Sequence, residues 1–124
     1  MNHNQEAFEF ENHARHFLSQ HWHITLRKKQ VAITPTFEKE FDLVSDDSTY
    51  VGDAKYYMFL DDPGAQWSAI AEYVWLLEKV NAQKKFMVFG KQKETARQWL
   101  DKHRSLVQNI KFYFLSDNDL EELQ

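Results

Sequence analysis

Two aspartates and a lysine carry the chemical interest of this chain. Asp53-Ala54-Lys55 lies within residues 49–60, a β-branched and aromatic run that reads as a strand. Residues two apart on a strand share a face, so Asp53 and Lys55 point the same way. Asp42, eleven residues earlier, joins them if its own strand pairs with this one. A strand interior is an odd place for such groups. Aspartate is depleted there, and a buried carboxylate costs at least ~2 kcal/mol unless it is paired or bound to a metal. Two carboxylates near one point repel unless a cation sits between them. Hard divalent ions such as Mg²⁺ use one or two carboxylates plus waters. A lysine beside the ion can orient a water or stabilise charge developing on a phosphate. The plain alternative is a solvated hairpin face on which all three are surface charges.

The elements that must position these groups follow from periodicity. Phe10, Ala14, Phe17 and Leu18 form one apolar stripe, which predicts a helix over 4–22. Residues 24–33 read as an extended segment ended by Thr34-Pro35-Thr36. In 38–46, Phe41 and Leu43 alternate with Glu40 and Asp42, a strand pattern. Asp46-Asp47-Ser48 is a turn by composition, so 38–46 and 49–60 form a β-hairpin. Asp61-Asp62-Pro63-Gly64 stops that strand, and a helix is expected over 65–81, with Trp75 and Leu76 widening its apolar face. Residues 85–89, almost continuously apolar, suit a strand covered on both faces. A helix over 92–107, with Ala96, Trp99, Leu100 and Leu106 inward, and a strand over 110–115 complete the order. The acidic tail, 116–124, reads as a frayed helical turn. The expectation is one α/β domain with a core over about 6–115: a mixed sheet flanked by helices, ordered α-β-β-β-α-β-α-β.

Here a resemblance enters. Glu40-Phe41-Asp42-Leu43-Val44, then Gly52-Asp53-Ala54-Lys55, looks like the PD-(D/E)xK nuclease signature. A preceding helix bearing Glu11 in Glu11-x-x-Ala14-x-x-Phe17-Leu18 completes the pattern. The arrangement is similar to Holliday-junction resolvases of archaea and to RecB-type nuclease domains, and it covers roughly residues 6–90. Phe41 departs from the proline of the motif's name. The resemblance implies a restriction-endonuclease-like α-β-β-β-α-β core. It implies Asp42 and Asp53 as ligands of Mg²⁺ or Mn²⁺, Lys55 as the residue that helps position the attacking water, and Glu11 as the helix-borne acid completing the metal shell. Gln66 stands where several members keep a polar helper, and Tyr73 is a weaker carry-over. On the helical wheel both Glu11 and Glu6 border the apolar stripe, so either could lean toward the sheet, whereas Glu9 lies away from it.

Other constellations are weaker. His13, His16 and His21 diverge around the helix and do not suggest zinc. Gly52, Gly64 and Gly90 build no phosphate loop, and no serine sits on an elbow-like turn. The chain has 124 residues, no cysteine and a net charge of −4. Without cysteine there is no disulfide or thiolate metal site, and a cytoplasmic setting is the easier one. The first twelve residues lack the basic start and apolar stretch of a signal peptide, and no stretch suits a membrane span.

The net charge hides an uneven distribution. Both ends are acidic, while 84–104 carries Lys84, Lys85, Lys91, Lys93, Arg97, Lys102 and Arg104 against Glu94 and Asp101. Arg27, Lys28, Lys29, Lys91 and Lys93 are candidates for phosphate contacts to DNA without sequence reading. The expected function is metal-dependent hydrolysis of a DNA phosphodiester. At this size the expected partner is a second copy, cutting the other strand, or another subunit that supplies target choice. The alternative is a nuclease-fold protein with weak or lost catalysis that binds nucleic acid or serves assembly. A third is an interaction domain with no nucleic-acid role.

Overall fold

The computed structural model describes residues 3–57 and 64–124, with side chains over 5–56 and 67–124. Three helices, α1 (His3–His21), α2 (Gly64–Lys79) and α3 (Lys93–His103), flank one six-stranded sheet. Its strands are β1 (Leu26–Thr34), β2 (Phe37–Ser45), β3 (Tyr50–Tyr57), β4 (Lys84–Lys91), β5 (Lys111–Ser116) and β6 (Asp119–Leu123). They lie side by side in chain order. β1, β2 and β3 form an antiparallel meander, β3–β4–β5 run parallel, and β6 returns antiparallel to β5. The expected mixed α/β architecture is therefore present.

Alternation along the strands sorts the core into two layers. Phe86 and Val88 of β4 join Phe10, Ala14 and Leu18 of α1 on one face. Met87 and Phe89 join Ile70, Val74 and Leu77 of α2 and Trp99 and Leu100 of α3 on the other. That explains the unbroken apolar run in β4, which is buried between helices on both sides. Parallel neighbours need a crossover, and α2 and α3 supply the two crossovers here. Each fully buried Leu or Phe in these layers contributes about 1.5–3 kcal/mol of transfer free energy.

Two glycines mark close approaches between layers. A Cβ on Gly52 would run into the Phe86 ring, and one on Gly90 into the Phe10 ring. Without a side chain there, the Phe10 ring can close on β4 and the Phe86 ring on β3.

The C-terminal segment departs from expectation. Residues 119–123 form β6, not a frayed helical turn. Asp117 takes the left-handed conformation at φ 50°, and the chain doubles back through Asp117-Asn118, residues that tolerate that geometry. Leu120 and Leu123 then pack on opposite faces of the sheet. The acidic residues that suggested a tail face basic partners: Glu121 meets Lys93 at 2.9 Å and Arg97 at 3.2 Å, and Glu122 meets Lys111 at 3.5 Å.

Two apolar side chains expected in the core are not there. Trp75 is 58% exposed and Leu106 is 74% exposed. Ile70, Val74 and Leu77 already fill the inward stripe of α2, one residue round from Trp75. Helix α3 ends at His103, and Arg104–Leu106 tightens into a 3-10 turn, which swings Leu106 outward. Among the described residues, no helix is long and apolar enough to cross a membrane.

Candidate active site

The hairpin that carries both aspartates is pinned at its turn. Asp47 Oδ1 accepts from Ser45 Oγ at 2.9 Å, Thr49 N at 3.1 Å and Thr49 Oγ1 at 2.7 Å. These donors hold the Asp47 carboxyl below the usual carboxylate range. From that turn, β2 and β3 pair at Val44↔Val51 and Leu43↔Gly52. Beyond Leu43, side chains take over from the backbone ladder. Asp42 N donates to Asp53 Oδ1 at 3.1 Å, and Ala54 N donates to Asp42 Oδ2 at 3.1 Å.

A β-bulge causes this. β1 pairs Arg27 with Val44 and Lys29 with Phe41, so Lys28 faces two residues of β2, Asp42 and Leu43. The extra residue breaks the alternation read from the sequence. Phe41 and Leu43, two apart, pack on opposite faces of the sheet. Asp42 is thereby turned toward Asp53 instead of simply facing out with Glu40.

Each aspartate spends one oxygen on a backbone N–H and keeps the other. Asp53 is 1% exposed, and its Oδ2 lies 2.8 Å from Lys55 Nζ. Burial pushes the Asp53 carboxyl up to about 8, with Lys55 pulling it down and Asp42 pushing it up. Lys55, 14% exposed, rests 3.5 Å from the centre of the Tyr73 ring on α2. The Tyr73 hydroxyl is itself pushed up to about 12 by burial and then by Asp53 and Asp42. Tyr73, weakly suggested by the resemblance, is thus part of the cluster, held edge-on against Phe41.

The α1 side of the cluster holds Glu11, Arg15 and Lys28. Glu11 is pushed above the usual glutamate range by burial and by neighbouring Asp42. Lys28 Nζ lies 3.3 Å from Glu11 Oε1 and 4.0 Å from Asp42 Oδ1. Arg15 donates from Nε to the Asp42 carbonyl at 3.1 Å, and its Nη2 is 3.8 Å from Glu11 Oε1. Nothing in the spacing singled out Arg15, although it falls one helical turn after Glu11.

The other sequence-predicted residues fall elsewhere. Glu6 pairs with Lys91 at 2.9 Å, so Glu11 is the helix acid beside Asp42. Gln66 lies in the first turn of α2, and its side chain is outside the described residues. Arg27 pairs with Asp46 at 3.0 Å, and Lys29 donates to Asp46 O at 2.9 Å, both at the β2–β3 turn. Lys93 is held by Glu121. Of the five candidate phosphate contacts, only Lys28 joins the cluster.

The donor set suits a hard cation. Asp53 Oδ2 and Glu11 Oε1 are buried and receive no well-directed hydrogen bond; Lys55 lies 2.8 Å from the first and Lys28 3.3 Å from the second, and Asp42 neighbours both carboxyls. Asp53 Oδ2 and Asp42 Oδ1 are the oxygens left over from the backbone bridges. Among the described residues, no group of three Asp, Glu or His side chains is gathered as a ready metal site. The Mg²⁺ style of binding asks for less, one or two carboxylates acting with waters and a phosphate. Comparison with family models, with curated proteins and with solved structures finds no match for the chain.

Proposed function

We propose that the chain is a divalent-cation-dependent phosphodiesterase acting on DNA, of the PD-(D/E)xK type its motif resembles. The reciprocal bridge between Asp42 and Asp53 carries the reading. It fixes two carboxylates side by side, leaves each with an oxygen to spare, and sets an ammonium beside them.

The residues divide the work. Asp42 and Asp53 would hold Mg²⁺ or Mn²⁺, with Glu11 on the flank. Such an ion, when bound, would supply a lowered water pKa and offset charge developing on the phosphate. Lys55 orients the attacking water and gives charge to the phosphate oxygens. Tyr73 keeps the Lys55 ammonium in place from the far side. Cutting both strands of a duplex calls for a second copy or another subunit.

One observation favours a second reading, a catalytically silent module of the same fold. Lys28 and Lys55 already neutralise the carboxylates, so the cluster is electrostatically closed without any ion. Incubation of plasmid and branched DNA with Mg²⁺ or Mn²⁺ separates the two. The enzyme reading expects cleavage by wild type and none by Asp53→Asn or Lys55→Ala. Absence of cleavage on either substrate, with salt-dependent DNA binding retained, would leave the silent module. Absence of both would end the nucleic-acid role.

A further inference from the structure

Lys28 stands among acids. Its Nζ lies 3.3 Å from Glu11 Oε1, 4.0 Å from Asp42 Oδ1 and 4.0 Å from Glu40 Oε1. The bulge places it there, since Lys28 is the β1 residue facing the doubled Asp42-Leu43 position. An ammonium between Glu11 and Asp42 does what a divalent ion would do for them: it offsets their repulsion. Its side chain is 42% exposed, so it can leave. Lys55 is the opposite case, largely covered and held between Asp53 and the Tyr73 ring.

We propose that Lys28 is a built-in competitor for the cation, which enters by displacing the Lys28 ammonium from Glu11 and Asp42. This rests on reading the cluster as a divalent-cation site. Glu40 is half exposed and already within 4.0 Å, so the displaced ammonium keeps a carboxylate partner outside the cluster. The free protein then keeps its carboxylates side by side without metal, at the expense of affinity. Removing Lys28 leaves more negative charge at the cluster, and a divalent ion gains more by arriving.

The test is Mn²⁺ binding, read from the electron paramagnetic resonance of the free ion, with no nucleic acid present. Wild type is compared with Lys28→Met, Arg27→Met and Asp53→Asn. Lys28→Met is expected to bind Mn²⁺ about tenfold tighter. Arg27→Met, which removes an equally near neighbour in sequence paired with Asp46, should bind as wild type does. Without metal, Lys28→Met should melt below wild type, and saturating Mn²⁺ should raise its melting temperature by more than it raises that of wild type. Equal or weaker binding by Lys28→Met would overturn the competitor role while leaving the cation site standing. If wild type takes up Mn²⁺ no better than Asp53→Asn at millimolar ion, the cation site itself falls, and the competitor with it. Lys28→Gln, which keeps a polar head of similar reach, gives the same comparison if Lys28→Met does not fold.

Discussion

Asp42 and Asp53 tie their strands together with side chains where the backbone ladder stops. Each carboxylate closes a bond to the other strand's backbone, at 3.1 Å in both directions. One pair of residues thus both completes the sheet and presents the candidate chemistry. Substitutions there will report on stability and function together, and the two must be measured separately.

The pH dependence of stability should carry the mark of Asp53. Its folded-state pKa is raised, to about 8, because burial disfavours the charged form. A raised acid binds its proton more tightly when folded, so its contribution is fully present below the unfolded pKa. That contribution is lost as pH climbs toward the folded pKa. In EDTA, the melting temperature should fall between the ordinary carboxylate range and pH 8. Asp53→Asn, nearly isosteric and uncharged, should flatten that stretch. An unchanged profile in Asp53→Asn would refute the assignment to Asp53.

Lys55→Met should be tolerated in acid and harmful in base. The lysine is the neighbour that draws the Asp53 carboxyl down. Without it, Asp53 keeps its proton to higher pH, and forcing ionisation strands a buried charge. Urea unfolding should show little change at pH 5 and a loss of about 2 kcal/mol or more at pH 9. The double variant Asp53→Asn/Lys55→Met should lose that pH dependence.

Gly52→Ala should destabilise through the ring behind it. Gly52 forms the last backbone pair before the aspartate bridge, and a new Cβ would meet Phe86. Overpacking of this kind costs about 1–3 kcal/mol. Pairing it with Phe86→Leu, which frees space, should recover part of the loss in urea melts. No recovery would mean that the glycine serves the backbone and not the ring.

Trp75 and Trp99 should behave as opposites. Trp75→Gln removes an exposed ring and should change stability by no more than about 0.5 kcal/mol. Trp99→Ala opens a cavity beneath α3, where the indole also donates to Trp67 O at 3.2 Å. Its cost should be about 3–5 kcal/mol. Equal losses in chemical denaturation would contradict the burial assigned to these residues.

Much of the fold was legible because each element carries its own period. The stripe of Phe10, Ala14 and Leu18 and the apolar run of β4 announce a helix and a doubly covered strand. The approach of Asp53 to Lys55 also follows from strand geometry alone. The sharing of a bridge by Asp42 does not, because it depends on a bulge that strict alternation hides. Lys28 and Arg15 are likewise invisible locally. Lys28 reads as one of three consecutive bases, and only the pairing of β1 against the bulge moves it from a phosphate-facing role to a carboxylate cluster. β6 was missed because charge outweighed its two leucines, whereas in the folded chain those charges sit opposite Lys93, Arg97 and Lys111.

The last of these pairings has a practical consequence for anyone handling the protein. Glu121 and Glu122 act as counterions for three bases on the far flank of the sheet. A shortened chain ending before Asp117 would uncover those bases together with the edge of β5. It would then stick to heparin or plasmid through bare cationic surface, and such retention would imitate a nucleic-acid affinity that the intact chain does not owe to that flank.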